Sequence, residues 1–176
     1  EAIGANGTTI NWAVTNNVAN GIDADMVTLA NDVMNGTVGG LLVYGCNPVY
    51  STADGKKLGD AIEKLPFSVS YNSSMDETAE RCKYIVPSNH WLESWGDAEA
   101  KTGAVSFLQP TIYPLFKTRP YQTSLLKWSG NNTEYETYFK NYWAAPARLG
   151  SEDALNKALQ LGIKEGMGIG VMAANG

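Results

Sequence analysis

Three short stretches hold most of the side chains able to do chemistry: GCNPVYST at 45–52, NSSMDET at 72–78 and PSNHWLESWGD at 87–97. They are rich in Asn, Ser, Thr and acidic residues, which hydrogen-bond a base or a sugar. They are poor in the glycines that let backbone amides close on a pyrophosphate. A nucleotide held there would be gripped by its base. His90, the one histidine, stands near Trp91 and Trp95 with Glu93 and Asp97 close in sequence, a grouping suited to proton transfer. Without a partner nucleophile motif or metal-ligand spacing, a structural, hydrogen-bonded histidine outweighs a catalytic one. Asn47-Pro48 fits a plain turn as well as a ligand turn. Glu77 fits a helix cap better than an acid catalyst, because Ser74-Met75-Asp76-Glu77 has the spacing of a capping box. No catalytic and no metal-binding residue is assigned.

The elements around these stretches predict how they are positioned. Asp23 to Met34 carries Met26, Leu29, Ala30, Val33 and Met34 at helical spacing, with Gly36 just beyond. GLLVYG at 40–45 is a short apolar run of the kind buried on both faces of a parallel sheet. A helix from near Ala53 presents Leu58, Ala61, Ile62 and Leu65, and Pro66 then forces an extended entry into FSVSY. A short helix through Arg81 leads to KYIVP at 83–87. Strand, helix, strand, helix, strand with short links is the pattern of an α/β fold, a parallel sheet with right-handed crossovers. In such a sheet, ligands sit beyond the carboxyl ends of the strands, where the three stretches lie.

Residues 88–128 read as long irregular structure with one strand at Val105 to Leu108, a length usually functional or packed on a partner. Thr133 to Glu136 is a second capping-box match. It opens a helix whose Tyr135, Tyr138, Phe139, Tyr142 and Trp143 form one aromatic stripe, expected to dock on the domain. Ser151 starts a last helix carrying Leu155, Ala158, Leu159 and Ile163 and ending near Gly166.

At 176 residues with 44% hydrophobic content, the chain has material for a packed core. Its formal charge of -5, with scattered basic residues, argues against nucleic acid. No apolar run reaches the roughly 20 residues of a membrane-spanning helix. Cys46 and Cys82 match no metal spacing, and a free, buried thiol is the expectation for each. The N-x-Ser/Thr triplets at Asn6, Asn35, Asn72 and Asn131 carry no functional weight in a chain this rich in Asn, Thr and Gly. The start at Glu rather than Met suggests an excised or processed fragment.

Three segments in order, VYGCNPVYSTAD, MDETAERCKYIVPSNHWLESWGDAEAKTG and VSFLQPTIYPLFKTRP, closely resemble the molybdopterin oxidoreductase superfamily. The likeness is greatest to the iron–sulfur subunits of the bacterial quinol:cytochrome c oxidoreductases called alternative complex III. It is specific from about Val27 to Lys127 and thin beyond.

The resemblance implies a fragment of a larger polypeptide. Residues 1–130 would be a dinucleotide-binding-like domain, Rossmann-like in three layers with helices on both sheet faces, and 131–176 a helical extension packing on it or on missing parts. Carried over by motif, Gly45, Asn47 and Pro48 would sit at the first ligand turn. Ser70, Tyr71 and Asn72 would line the second, with Glu77 and Thr78 at the helix start beyond it. His90, Glu93 and Asp97 would occupy the loop after the third strand.

Two departures stand out. Tyr71-Asn72 replaces a usual acidic residue, and Lys101-Thr102-Gly103-Ala104 replaces an Asn-x-Glu-Gly-Arg element, removing a fixed guanidinium. The implied role is a cofactor-free scaffold domain, not catalytic alone, in a quinol-oxidising respiratory complex at the periplasmic or extracytoplasmic face of the inner membrane. Iron–sulfur clusters would lie elsewhere in the parent. Its partners would be other domains of that parent and subunits of the complex, without nucleic acid or membrane insertion. The alternative is a domain binding the guanine dinucleotide arm of molybdopterin in an active oxidoreductase of the polysulfide or dimethyl sulfoxide reductase type.

Overall fold

The computed structural model describes residues 2–167. Internal contacts group them into two compact units. One comprises 21–93 and 111–135, and the other combines the described residues of 1–20, 94–110 and 136–176.

The first unit holds the parallel sheet. Its elements are α1 (Asp23–Met34), β1 (Leu41–Val43), α2 (Pro48–Ser51), α3 (Gly55–Ile62), β2 (Ser68–Ser70), β3 (Tyr84–Ile85) and α4 (Tyr121–Trp128). The strands lie in the order β1-β2-β3, with Leu41 opposite Ser68 and Ser70 opposite Ile85. Alternation puts Leu41 and Val43 on one face, where Val43 joins Val33 of α1, Leu58 and Ile62 of α3, Leu65 and Cys82 in one core. Each large side chain buried there contributes about 2 kcal/mol. Asn35 and the left-handed Gly36 end α1 through bonds back to Asn31 and Val33.

The opposite face is aromatic. Phe67 and Tyr71 each lie 6.1 Å, ring to ring, from Trp128 of α4, and Tyr44 lies 4.0 Å from Tyr121. Position 55 is tight: a Cβ on Gly55 would overlap the Val49 carbonyl, so the corner between α2 and α3 closes backbone on backbone.

Mixed helices and strands with a parallel sheet bear out the α/β expectation. The order β1-β2-β3 does not reverse among the described residues, so the strand reversal that marks a doubly wound dinucleotide fold is not formed there.

The second unit holds a separate antiparallel sheet, β4 (Gly96–Lys101), β5 (Ala104–Leu108) and β6 (Ile163–Glu165), with helices α5 (Tyr135–Ala144) and α6 (Glu152–Leu161). This corrects the reading of 88–128 as irregular. Residues 96–108 form a hairpin turning at Thr102 and the left-handed Gly103, and in the first unit 121–128 is helical. Thr15 and Asn17 extend the hairpin through backbone bonds to Thr102 and Ala100.

The last helix also stops short of Gly166. Gly162, at φ 73°, caps it after Leu161, and Ile163 pairs with Ser106 as a strand residue. Only two of the five residues of the aromatic stripe are buried. Phe139 and Trp143 are buried, with Phe107 edge-on to Trp143 at 5.0 Å, whereas Tyr138 and Tyr142 stay exposed. The helical spacing told which residues share a face, but not how wide a strip the sheet covers.

Candidate functional site

The carboxyl ends of β1 and β2 and the segment after β3 enclose a crevice of about 420 Å³. Tyr44, Gly45, Cys46 and Asn47 line it from the first turn and Tyr71, Asn72 and Asp76 from the second. Ser88, Asn89 and His90 line it from the third. The strands are only two or three residues long, so their ends need side chains to hold them together.

Asn72 does most of this. Its Oδ1 accepts from Gly45 N–H at 2.8 Å, and its Nδ2 donates to the Cys46 carbonyl and to Asp76 Oδ2, both at 2.8 Å. Its own N–H donates to Ser70 Oγ. Both amide hydrogens are therefore spent on the protein.

Asn47 forms the second tie. Its Nδ2 donates to Glu77 Oε2 at 2.6 Å, and its Oδ1 accepts from the fully buried Thr78 hydroxyl at 2.7 Å and from Tyr50 N–H. Thr78 Oγ1 in turn accepts from Val49 N–H, just past Pro48. The bond from Asn47, with a smaller backbone contribution, holds the Glu77 carboxyl below its usual range.

The capping box expected at Ser74 is replaced by another cap. Asp76 Oδ1 accepts from the amides of Thr78 and Ala79, which starts the 3-10 turn Ala79–Arg81. Glu77 is left to face Asn47. An Asp two residues before the first orphan amide competes with the Ser-x-x-Glu pattern, and that was the signal available in the sequence.

In the third stretch Glu93 is a clasp. Its Oε2 accepts from His90 N–H and its Oε1 from Leu115 N–H, both at 3.0 Å. These two amides, Leu115 foremost, lower its pKa. His90 Nδ1 accepts from Leu92 N–H at 3.3 Å, which fixes the ring locally. Asp97 lies on β4 in the other unit and accepts from Trp143 Nε1 at 2.7 Å. The structure therefore brings Gly45, Asn47, Asn72 and His90 to the crevice. Pro48, Ser70, Glu77, Thr78 and Glu93 take part in the bonding or turns behind it, and Asp97 belongs to the other unit.

Of the two cysteines, Cys46 is exposed, contrary to expectation, and Cys82 is buried, which pushes its thiol pKa up.

Two polar atoms on crevice residues are buried without a hydrogen-bond partner: the Tyr71 hydroxyl and Asn89 Oδ1. Burial raises the Tyr71 pKa, and the charge of Arg119 opposes this. These atoms suit a neutral polar ligand edge. A pyrophosphate is matched less well, since the lining contains no Lys or Arg and the Gly45 amide is already donated to Asn72. Among the described residues no group of three or more His, Cys, Asp or Glu is placed to hold a metal ion, and no helix is long and apolar enough to cross a membrane.

A family model described as molybdopterin oxidoreductase matches residues 2–122. The chain is also 35% identical over 94 residues to the menaquinone reductase, molybdopterin-binding-like subunit of Nitratidesulfovibrio vulgaris, a match covering 51% of this chain. The chain spans 14% of that relative's length.

Proposed function

Starting from the fact that the chain belongs to the molybdopterin oxidoreductase family, we propose that it is the dinucleotide-binding-like portion of a large respiratory subunit and serves there as a cofactor-free scaffold. The parent would belong to a quinol-oxidising electron-transfer complex of the alternative complex III type at the extracytoplasmic face of the membrane. Its iron–sulfur clusters would lie outside this portion. The named function of the relative, a subunit of a menaquinone reductase, supports a quinone-linked setting. In this reading α4, whose Trp128 packs edge-on to Phe67 and tilted to Tyr71, begins the second helical layer of a Rossmann-like sandwich that the rest of the parent completes.

The observation that carries the scaffold reading is the state of Asn72. A ligand-reading amide keeps hydrogens for its ligand, and this one spends both on Cys46 and Asp76. The phosphate arm of a dinucleotide does not fit the cation-free lining. One observation favours the second reading, a retained guanine-dinucleotide site: the unpartnered Tyr71 hydroxyl and Asn89 Oδ1 offer hydrogen-bonding capacity at the crevice.

Molybdenum and tungsten content, with fluorescence of oxidised pterin, measured on the full-length parent from its native membrane, decides between the two. The scaffold reading expects iron without molybdenum, tungsten or pterin. Near-stoichiometric metal and pterin would overturn it in favour of the second.

A further inference from the structure

Away from the crevice, in the unit built on the antiparallel sheet, a groove of about 540 Å³ runs between the turn after α5, the length of α6 and the end of β6. Its rim carries three cations from three different elements, Arg148, Lys157 and Lys164, and its lining includes no carboxylate. Ala158, Leu149 and Leu161 give it an apolar floor and lip, and Leu161 is 76% exposed.

None of the three cations is paired with a described carboxylate. The ion pairs formed involve Lys56, Lys57, Arg81, Lys127 and Lys140. Asp153, four residues before Lys157, is not within ion-pair distance of it, and Glu165 alternates to the other side of β6 from Lys164. Arg148 rests 4.6 Å above the Tyr142 ring, which holds its guanidinium in place.

The walls are fixed. The turn is closed by Arg148 and Gly150 N–H bonds to the Ala145 carbonyl, and α6 is capped by Ser151 at one end and the left-handed Gly162 at the other. Beyond β6, Met167 N–H is tied to the Gly103 carbonyl. In a chain of net charge -5, three unneutralised cations around one apolar trough are a local reversal of sign.

We propose that this groove is a docking site for an acidic, apolar-anchored peptide segment of a protein partner. Carboxylates would meet Arg148, Lys157 and Lys164, and an apolar side chain would cover Leu161 and Leu149. Charge complementarity selects the occupant. Cations converging from three elements on a concave trough suit a chain of spaced carboxylates better than the flat headgroup plane of a membrane. The apolar floor gives inorganic phosphate nothing to bury.

The test is fluorescence anisotropy of a labelled Glu/Leu-alternating peptide titrated with the full chain, beside a Lys/Leu peptide, inorganic phosphate as competitor and phosphatidylglycerol vesicles. The proposal expects saturable binding of the acidic peptide alone, weakened by salt. Lys157→Glu with Lys164→Glu, both at exposed positions, should weaken it roughly tenfold or more while leaving the circular dichroism spectrum unchanged. Leu161→Ser should weaken it as well. No saturable binding, equal binding of the basic peptide, indifference to the charge reversals, full displacement by phosphate, or cation-dependent binding of vesicles in place of the peptide would each overturn it.

Discussion

The two three-stranded sheets solve the same problem, holding short strands together, by different means. The parallel sheet has strands of three, three and two residues, with few ladder bonds of its own. It relies on the amides of Asn72 and Asn47, which tie the loop ends laterally. The antiparallel sheet has two longer strands, β4 and β5, a two-residue turn, and a cluster of Phe107, Phe139 and Trp143. One sheet is therefore sensitive to the loss of a hydrogen-bonding atom, and the other to the loss of packed volume. A short parallel sheet can keep the outline of a ligand crevice while using the crevice's polar groups as structural ties.

The sharpest way to break the antiparallel sheet is Phe139→Asp. Phe139 is 2% exposed, and an unpaired charge in its place should cost about 4 kcal/mol or more and unfold the unit. Chemical denaturation checks it, and unchanged stability would mean that α5 does not dock through this ring.

Next comes Asn72→Ala in the parallel sheet, expected to cost about 2–3 kcal/mol because the Gly45 amide loses its acceptor and Asp76 its donor. Amide exchange should speed at Gly45 and leave Val105 on the other sheet unaffected. Equal loss at both sites would show that the two sheets do not respond separately.

Trp143→Phe keeps most of the volume and removes the bond to Asp97. A loss of about 1–2 kcal/mol is expected, smaller than that of Phe139→Asp, and a larger loss would make the antiparallel unit as bond-dependent as the parallel one.

The smallest effect is one of pH. Glu93 has its pKa lowered in the folded chain by the Leu115 and His90 amides, so its contribution is fully present above the ordinary glutamate value. That contribution is lost as pH falls from about 4.5 through the folded value. The amide of Leu115 should lose exchange protection over that acid window, and Glu93→Gln should flatten the dependence. A Leu115 amide indifferent to pH there would rule the clasp out.

Legibility followed the same division. The parallel sheet was readable because apolar runs, Pro66 and helical spacing agree with one another, and the rule about strand ends then pointed to the crevice turns. The hairpin has no clear sequence signal because Gly96-Asp97-Ala98-Glu99-Ala100-Lys101 contains no β-branched or aromatic residue. It forms a strand through its pairing with β5 and the bonds from Thr15 and Asn17, which are tertiary. With one strand expected in 88–128, at Val105 to Leu108, the strand that carries Asp97 has no sequence signal of its own. Thr102-Gly103 was the turn signal within that stretch, and Pro120 the helix-start signal for α4. Asp76 was hidden behind a competing cap pattern, and the pairing of Asn47 with Glu77, thirty residues apart, has no local signature.

The corner at Gly55 bears on how this molecule tolerates variation. Alanine is the usual neutral probe, the residue to which others are cut back. Here it is an addition, and the atom it adds lands on the Val49 carbonyl. An alanine scan of the first crossover would therefore invert its customary meaning at this one place, where nothing is removed and yet the path of the chain has to change.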